Sequence, residues 1–205
     1  MEATVCNRKV PPHNKMVRER YDRLARQYDE RWADYIGSSL RHTLEKLNAA
    51  PGEIILDVGC GTGALQKQLG DTVVGVDLSE GMLRHAAGAR AATDAMRLPF
   101  RDHAFDIVAS TSSLHYWAEP LQTLREIRRV IRPNGRLVLT DWCDDYLACR
   151  ICDRLLRIGR GSGYVRAYSG RELRQLIESA GYASVTVERY KIGWLWGLMT
   201  AVATV

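Results

Sequence analysis

The sequence predicts an α/β domain built on a doubly wound, mostly parallel sheet, and three observations carry that expectation. Short β-branched runs alternate with helical periodicities along most of the chain. The first run closes in a glycine cluster, Gly59-Cys60-Gly61-Thr62-Gly63. The second closes in an acid, Asp77. Both features belong at the carboxyl ends of neighbouring parallel strands. With 205 residues, 46% hydrophobic and 26% charged, the chain suits one such domain and is short for two.

Taken in order, residues 1–14 read as a flexible tail, polar and broken by Pro11-Pro12, and residues 15–205 as a single domain. The spacing of Tyr21, Leu24, Tyr28 and Ile36, with their neighbours Trp32 and Tyr35, predicts an amphipathic helix over 16–35. A second helix is expected over 39–49, stopped by Pro51-Gly52. Residues 53–58 form a short apolar run of the kind buried in parallel sheets. Strands are expected at 72–76, 90–93 and 105–109, with a helix over 79–87 between the first two. Leu121, Leu124, Ile127, Val130 and Ile131 mark a helix face, Arg132-Pro133-Asn134-Gly135 reads as a turn, and 136–140 returns as a strand. A helix over 146–158 precedes a glycine-rich loop, 159–163. Ser169-Gly170-Arg171-Glu172 is a capping box that opens a helix ended by Gly181. Residues 183–190 alternate as a strand. Residues 194–203 read as a final strand, with a helix as the alternative.

Composition excludes several classes. Lys+Arg 29 against Asp+Glu 24 leaves +5, a mild excess that permits a phosphate-bearing partner without announcing one. The surplus arginines between Arg125 and Arg174 are scattered and read as solvated helix faces. The polar N-terminal segment lacks the apolar run of a secretory signal. The apolar stretch from Ile192 to Val205 is shorter than the roughly 17 residues a spanning helix needs. Five cysteines without scaffold spacing point to a reduced, cytoplasmic protein.

The glycine cluster carries the chemistry. Glycines allow a tight turn and close approach of backbone to ligand, and the helix starting near Gly63 aims its free N–H groups into the same crevice. Asp77 stands where an acid accepts both hydroxyls of a ribose. Gly59, Gly61, Ala64 and Asp77 also satisfy the loose dinucleotide fingerprint. Three observations tilt away from a nicotinamide. Asp57, two residues before the first glycine, suits a cationic amine better than a pyrophosphate. Aromatic helices precede the first strand, and no Tyr-x-x-x-Lys pair occurs.

Five ordered blocks carry a family resemblance from about Tyr21 to Tyr190. They are Ile55-Leu56-Asp57-Val58-Gly59-Cys60-Gly61-Thr62-Gly63, Val74-Gly75-Val76-Asp77-Leu78-Ser79, Asp94-Ala95-Met96-Arg97-Leu98-Pro99-Phe100, Phe105-Asp106-Ile107-Val108, and the stretch from Leu124 to Arg136. The chain resembles the class I S-adenosylmethionine (SAM)-dependent methyltransferases, within them the small-molecule type 11 group that includes quinone C-methyltransferases. The resemblance implies a Rossmann-like sheet of seven strands with the last antiparallel, SAM as methyl donor and S-adenosylhomocysteine (SAH) as product. By position it implies Asp57, Gly59 and Gly61 on the methionine moiety and Asp77 on the ribose. Leu78 would lie against the adenine, with Asp94 and Ala95 at the adenine edge and Ser110 near the methionine amine. Tyr21 and Tyr28 would belong to an N-terminal helical lid over about 15–50.

Methyl transfer from a sulfonium needs alignment and water exclusion, and a general base where the acceptor is a hydroxyl, a phenol or an activated carbon. His115, just past the fourth strand, is the candidate base, and packing in a loop is the plainer account of it. Asp141, Cys143 and Tyr146 are candidates to line the acceptor pocket. Trp32, Tyr35, Tyr116, Trp117, Trp142, Tyr146 and Tyr168 motivate a small apolar or aromatic acceptor as partner. Cys149 and Cys152 read as small core residues on a helix, and no metal site is expected. The tail Trp194-Leu195-Trp196 either touches a lipid-like surface or covers the sheet as an edge strand. Nucleic acid is not expected as a partner, since Ser110-Thr111-Ser112-Ser113 stands where base-amine methyltransferases carry Asn/Asp-Pro-Pro-Tyr/Phe. The competing functions are an RNA methyltransferase, a non-catalytic SAM-binding subunit and, more distantly, a nicotinamide dehydrogenase.

Overall fold

The computed structural model describes residues 11–158, 163–193 and 196–205. Its sheet contains β1 (Ile55–Val58), β2 (Val73–Asp77), β3 (Arg90–Ala92), β4 (Phe105–Thr111), β5 (Ile131–Trp142), β6 (Val185–Ile192) and β7 (Trp196–Thr204). The seven strands lie in the order β3-β2-β1-β4-β5-β7-β6. Pairing from β3 through to β5 is parallel, and β7 runs antiparallel to both of its neighbours. The expected doubly wound sheet with an antiparallel last strand is therefore present, and 196–204 is strand rather than helix. Chain order reverses between β1 and β4, which opens a crevice beyond their carboxyl ends.

Burial on both faces explains the apolar runs. All four residues of β1 are buried. Leu56 and Val58 share one face with Leu124, Ile127 and Val130 of α6 (Pro120–Val130) and Leu173 and Ile177 of α8 (Gly170–Ser179). Ile55 faces the other way, onto Leu47 of α3 (Ala33–Leu47) and Leu65 of α4 (Ala64–Leu69). Each such side chain, fully buried, contributes about 1.5–3 kcal/mol. The capping box at Ser169 forms as expected, with both reciprocal bonds in place.

The N-terminal region departs from expectation. Helix α1 (Pro12–Leu24) starts inside the segment read as tail, with proline at its first turn where a missing N–H costs nothing. Asn14 is buried and donates to Asp94 Oδ2 at 2.6 Å, which orders this turn; residues 1–10 lie outside the described residues. The single helix expected over 16–35 is broken: a 3-10 turn at Ala25–Gln27 leads to α2 (Tyr28–Arg31), and α3 follows from Ala33 rather than from residue 39. The break answers to distant partners, because Asp29 accepts from Thr62 Oγ1 at 2.5 Å and Lys67 Nζ at 2.9 Å.

Elsewhere the differences are local. α5 (Glu80–Leu83) is shorter than expected, and Gly88 at φ +70° turns the chain into β3. Arg132–Gly135 is absorbed into β5 as a bulge, where pairing jumps from Phe105↔Ile131 to Ile107↔Arg136 and Asn134 adopts φ +67°. α7 (Leu147–Ile158) buries Cys149 and Asp153 while leaving Leu147, Ile151, Leu155 and Ile158 exposed. The expected loop at 159–163 lies, apart from Gly163, outside the described residues. No helix among the described residues is long and apolar enough to cross a membrane.

Candidate active site

The turn after β1 needs its glycines. Gly59 sits at φ +78° and Gly61 at φ +54°, in the left-handed region. A Cβ on Gly59 would stand 2.7 Å from Ser113 Cβ, so β4's end approaches the loop only because that atom is missing. The N–H groups of Gly59 and Cys60 bond back to Val76 O at 2.8 and 3.0 Å. Asp77 completes the turn, accepting from Gly61 N–H at 2.9 Å on one oxygen and from Ser79 N–H at 2.8 Å on the other. Each oxygen keeps lone pairs for a further donor. Burial raises the Asp77 carboxyl above its ordinary range, against three backbone N–H groups that lower it.

Asp57 is the unusual acid. It is 5% exposed, and its carboxyl group accepts no hydrogen bond among the described residues. Burial, and secondarily the charge of Asp77, pushes its carboxyl up to about 7. Together with Gly59, Gly61 and Thr62 it lines one arm of the crevice. The other arm is lined by Gly59, Gly61, Asp77, Leu78, Met82 and Ala95 below, with Val17, Tyr21 and Tyr28 above.

The N-terminal helices are latched over this crevice by polar contacts. Asp22 accepts from Ser79 Oγ at 2.6 Å and Gly81 N–H at 2.8 Å. Asp29 holds Thr62 and Lys67, and Asn14 holds Asp94. Tyr21 and Tyr28 meet edge-on, with ring centroids 5.9 Å apart, and Tyr21 also meets Tyr116 at 5.4 Å.

A second, larger pocket of about 500 Å³ adjoins the crevice. Its walls are Tyr28, Trp32, Tyr35, Tyr116, Trp142, Tyr164 and Trp196, and His115 lines it as well. His115 is 4% exposed and its Nδ1 lies 2.6 Å from Asp141 Oδ1. Trp142 stacks on the imidazole at 4.8 Å, and the backbone N–H of Trp142 donates to the same Asp141 oxygen at 2.6 Å. An ionised Asp141 selects the tautomer with the proton on Nδ1, which leaves Nε2 as an acceptor with no partner among the described residues. Tyr164 is held by its hydroxyl donating to buried Asp153 at 2.8 Å. The Tyr35 hydroxyl accepts from Trp142 Nε1 at 2.8 Å and shares a 2.6 Å bond with Ser112 Oγ. Burial and the charge of Asp141 raise the Tyr35 phenol far above its ordinary value, so it stays neutral.

Ser112 sits where the two cavities meet. It adopts φ +59°, a costly conformation for a residue with a side chain, and lines both.

The candidate residues sort as follows. Asp57, Gly59, Gly61, Asp77, Leu78, Ala95, Tyr21 and Tyr28 converge on the crevice. Asp94 stands beside it, its carboxylate engaged by Asn14 and by Met96 N–H at 2.9 Å. Ser110 is not brought there: it is 1% exposed, donates to Val58 O at 2.8 Å and shares a 2.6 Å bond with Ser113 Oγ, so its neighbours Ser112 and Ser113 line the crevice instead. Of the aromatic candidates, Trp32, Tyr35, Tyr116 and Trp142 line the larger pocket. Trp117 lines the crevice, whereas Tyr168 is buried under Arg166 and Tyr146 packs over Gly197. Cys143 is fully buried against Asp145. Asn14, Ser112 and Tyr164 were not anticipated. The aromatic clusters in the sequence carried no signal for Asn14 or Ser112, and Tyr164 followed a glycine-rich stretch read as loop.

A family model described as a methyltransferase domain matches residues 56–139. The chain is similar to the demethylmenaquinone methyltransferase of Beutenbergia cavernae, 37% identical over 144 residues, 64% of this chain and 59% of that protein. It is 33% identical over 171 residues to the demethylmenaquinone methyltransferase of Symbiobacterium thermophilum, covering 70% of this chain and 63% of that one. The chain thus spans about three fifths of the length of these curated relatives. Its fold matches the magnesium protoporphyrin IX methyltransferase of Synechocystis, solved with bound SAH, with a TM-score of 0.73 over 94% of this chain and 99% of that one. At 15% identity that likeness concerns the fold alone.

Proposed function

Because the chain belongs to the class I SAM-dependent methyltransferases, in the type 11 group, we propose that it transfers a methyl group from SAM to a small apolar or aromatic acceptor, releasing SAH. One observation carries this function: Tyr21, Tyr28, Ser112 and Tyr116 line both the crevice and the aromatic pocket. A donor in the first and an acceptor in the second would share that wall.

The residues fit the donor. Asp57 is a buried carboxyl group with no hydrogen-bond partner among the described residues, suited to the donor's ammonium group. Asp77 has lone pairs left for ribose hydroxyls, and Leu78, Met82 and Ala95 offer an apolar bed for the adenine. When bound, SAM supplies a methyl group already activated on a sulfonium. The chain's own residues orient both partners, exclude water beneath the rings of Tyr21 and Tyr28, and take the acceptor's proton at His115 Nε2. The N-terminal helices act as the lid, held down through Asn14, Asp22 and Asp29.

Acid–base linkage gives a test of the donor site. In the free protein Asp57 titrates near 7, and a neighbouring ammonium favours its ionised form. Donor binding therefore releases a proton below about pH 7, and affinity rises as pH increases through that range. Calorimetric titration with SAH at about pH 6.5, in buffers of different ionisation enthalpy, reads the release directly. In Asp57→Asn the release is absent.

The activity itself is tested by incubating the protein with SAM and a panel of phenols and quinols while following SAH by mass spectrometry. SAH formation that depends on the acceptor is expected. Tight SAM binding with no turnover on any aromatic acceptor would instead indicate a non-catalytic binding subunit.

A further inference from the structure

The rim of the aromatic pocket carries a charge pattern that methyl transfer alone does not require. On one side, Arg20 and Arg23 of α1 and Arg31 of α2 line it; on the other, α7 contributes Cys152, Leu155 and Leu156. Aspartate and glutamate are absent from the described lining residues. Acids near the pocket are engaged elsewhere. Asp22 and Asp29 latch the lid, Asp141 holds His115, and Asp153 accepts from Tyr164, Ala167 N–H and Arg157. Glu30 and Asp34 line an adjoining depression beyond Trp32 that Arg31 also borders, and neither forms an ion pair with it among the described residues. Neither Arg23 nor Arg31 makes an ion pair among the described residues, and the Arg31 guanidinium lies 5.6 Å from the Trp32 ring centroid.

Cations gathered on one lip repel one another unless an anion joins them, and a cleft lined by one sign of charge concentrates the opposite sign. Arginine also forms bidentate bonds to carboxylate and phosphate. We propose that the acceptor is an amphiphile with an anionic group of the carboxylate or phosphate type, held at the lip by Arg23 and Arg31, and an aromatic body seated among the rings below. This deepens the methyltransferase function and rests on the aromatic pocket being its acceptor site. A neutral quinone would draw nothing from the cationic lip.

The experiment compares 2-naphthoate and 2-naphthyl phosphate with the neutral 2-naphthamide, by calorimetry, on protein saturated with SAH and on the free protein. At low salt at least one anion binds roughly tenfold tighter than the amide. Added potassium chloride shrinks that ratio, as expected for partly solvated charges. The Arg23→Gln/Arg31→Gln double variant removes it while leaving the melting temperature and the affinity for SAH unchanged, since both side chains are exposed. Equal affinity for anions and amide, binding of none of the three, or a preference that survives the double variant overturns the proposal. SAH is titrated separately. Failure of SAH to bind defeats the methyltransferase function, whereas SAH binding without an anion preference defeats only the anionic acceptor.

Discussion

His115→Ala is expected to lower kcat for methylation of a hydroxyl or phenol by about 10²- to 10⁴-fold, the usual contribution of a positioned general base. The affinity for SAH is expected to stay unchanged, because His115 lines the aromatic pocket and not the crevice. The size of the effect rests on the pairing with Asp141. A carboxylate 2.6 Å from Nδ1 both fixes the tautomer and stabilises the imidazolium that forms as the proton arrives. Asp141→Asn should therefore reproduce most of the loss in kcat with little change in KM. Stopped assays across pH, with SAH binding measured in parallel, check both variants. A His115→Ala protein of undiminished kcat would remove the proton-transfer role.

Asp77→Ala is expected to weaken SAM and SAH binding by about 10²- to 10⁴-fold, since two hydrogen bonds from ribose hydroxyls to a carboxylate are each worth roughly 1.5–3 kcal/mol. The same substitution frees Gly61 N–H and Ser79 N–H, so some stability is lost as well. Asp77→Asn separates the two effects. It retains an acceptor for one of those N–H groups and the shape of the turn, yet it has lost the charge and one acceptor oxygen. Its affinity and its unfolding temperature should both fall between those of the other two proteins, with the affinity reduced by more than the lost stability accounts for. Affinity tracking the melting temperature across the series would assign Asp77 a structural role only.

Much of this architecture was legible in the sequence because local chemistry and global fold agree there. The apolar run at β1 needed burial on both faces, and the glycines after it needed left-handed backbone. The capping box at Ser169 was legible for the same reason, whereas the antiparallel β7 was expected from the family resemblance alone, since the apolar tail by itself left a helix open. The helix break between Leu24 and Ala33 was not, because bonds from Asp29 to Thr62 and Lys67 place it there and helical periodicity ignores distant partners. The pairing of His115 with Asp141 joins the end of β4 to the end of β5, and only the sheet register brings the two together. Ser110 illustrates the opposite failure. Its position was right by strand count, but its hydroxyl is consumed by Val58 O and Ser113 Oγ, leaving Ser112, held at φ +59°, at the junction of the two cavities.

The most direct test is a crystal structure of the protein soaked with SAH. Ribose hydroxyls within hydrogen-bonding distance of Asp77, the amino group beside Asp57, and the sulfur turned toward Ser112 and the aromatic pocket are the predicted result. SAH seated elsewhere, or a dinucleotide ordered with its pyrophosphate over Gly59 and Gly61, would contradict it.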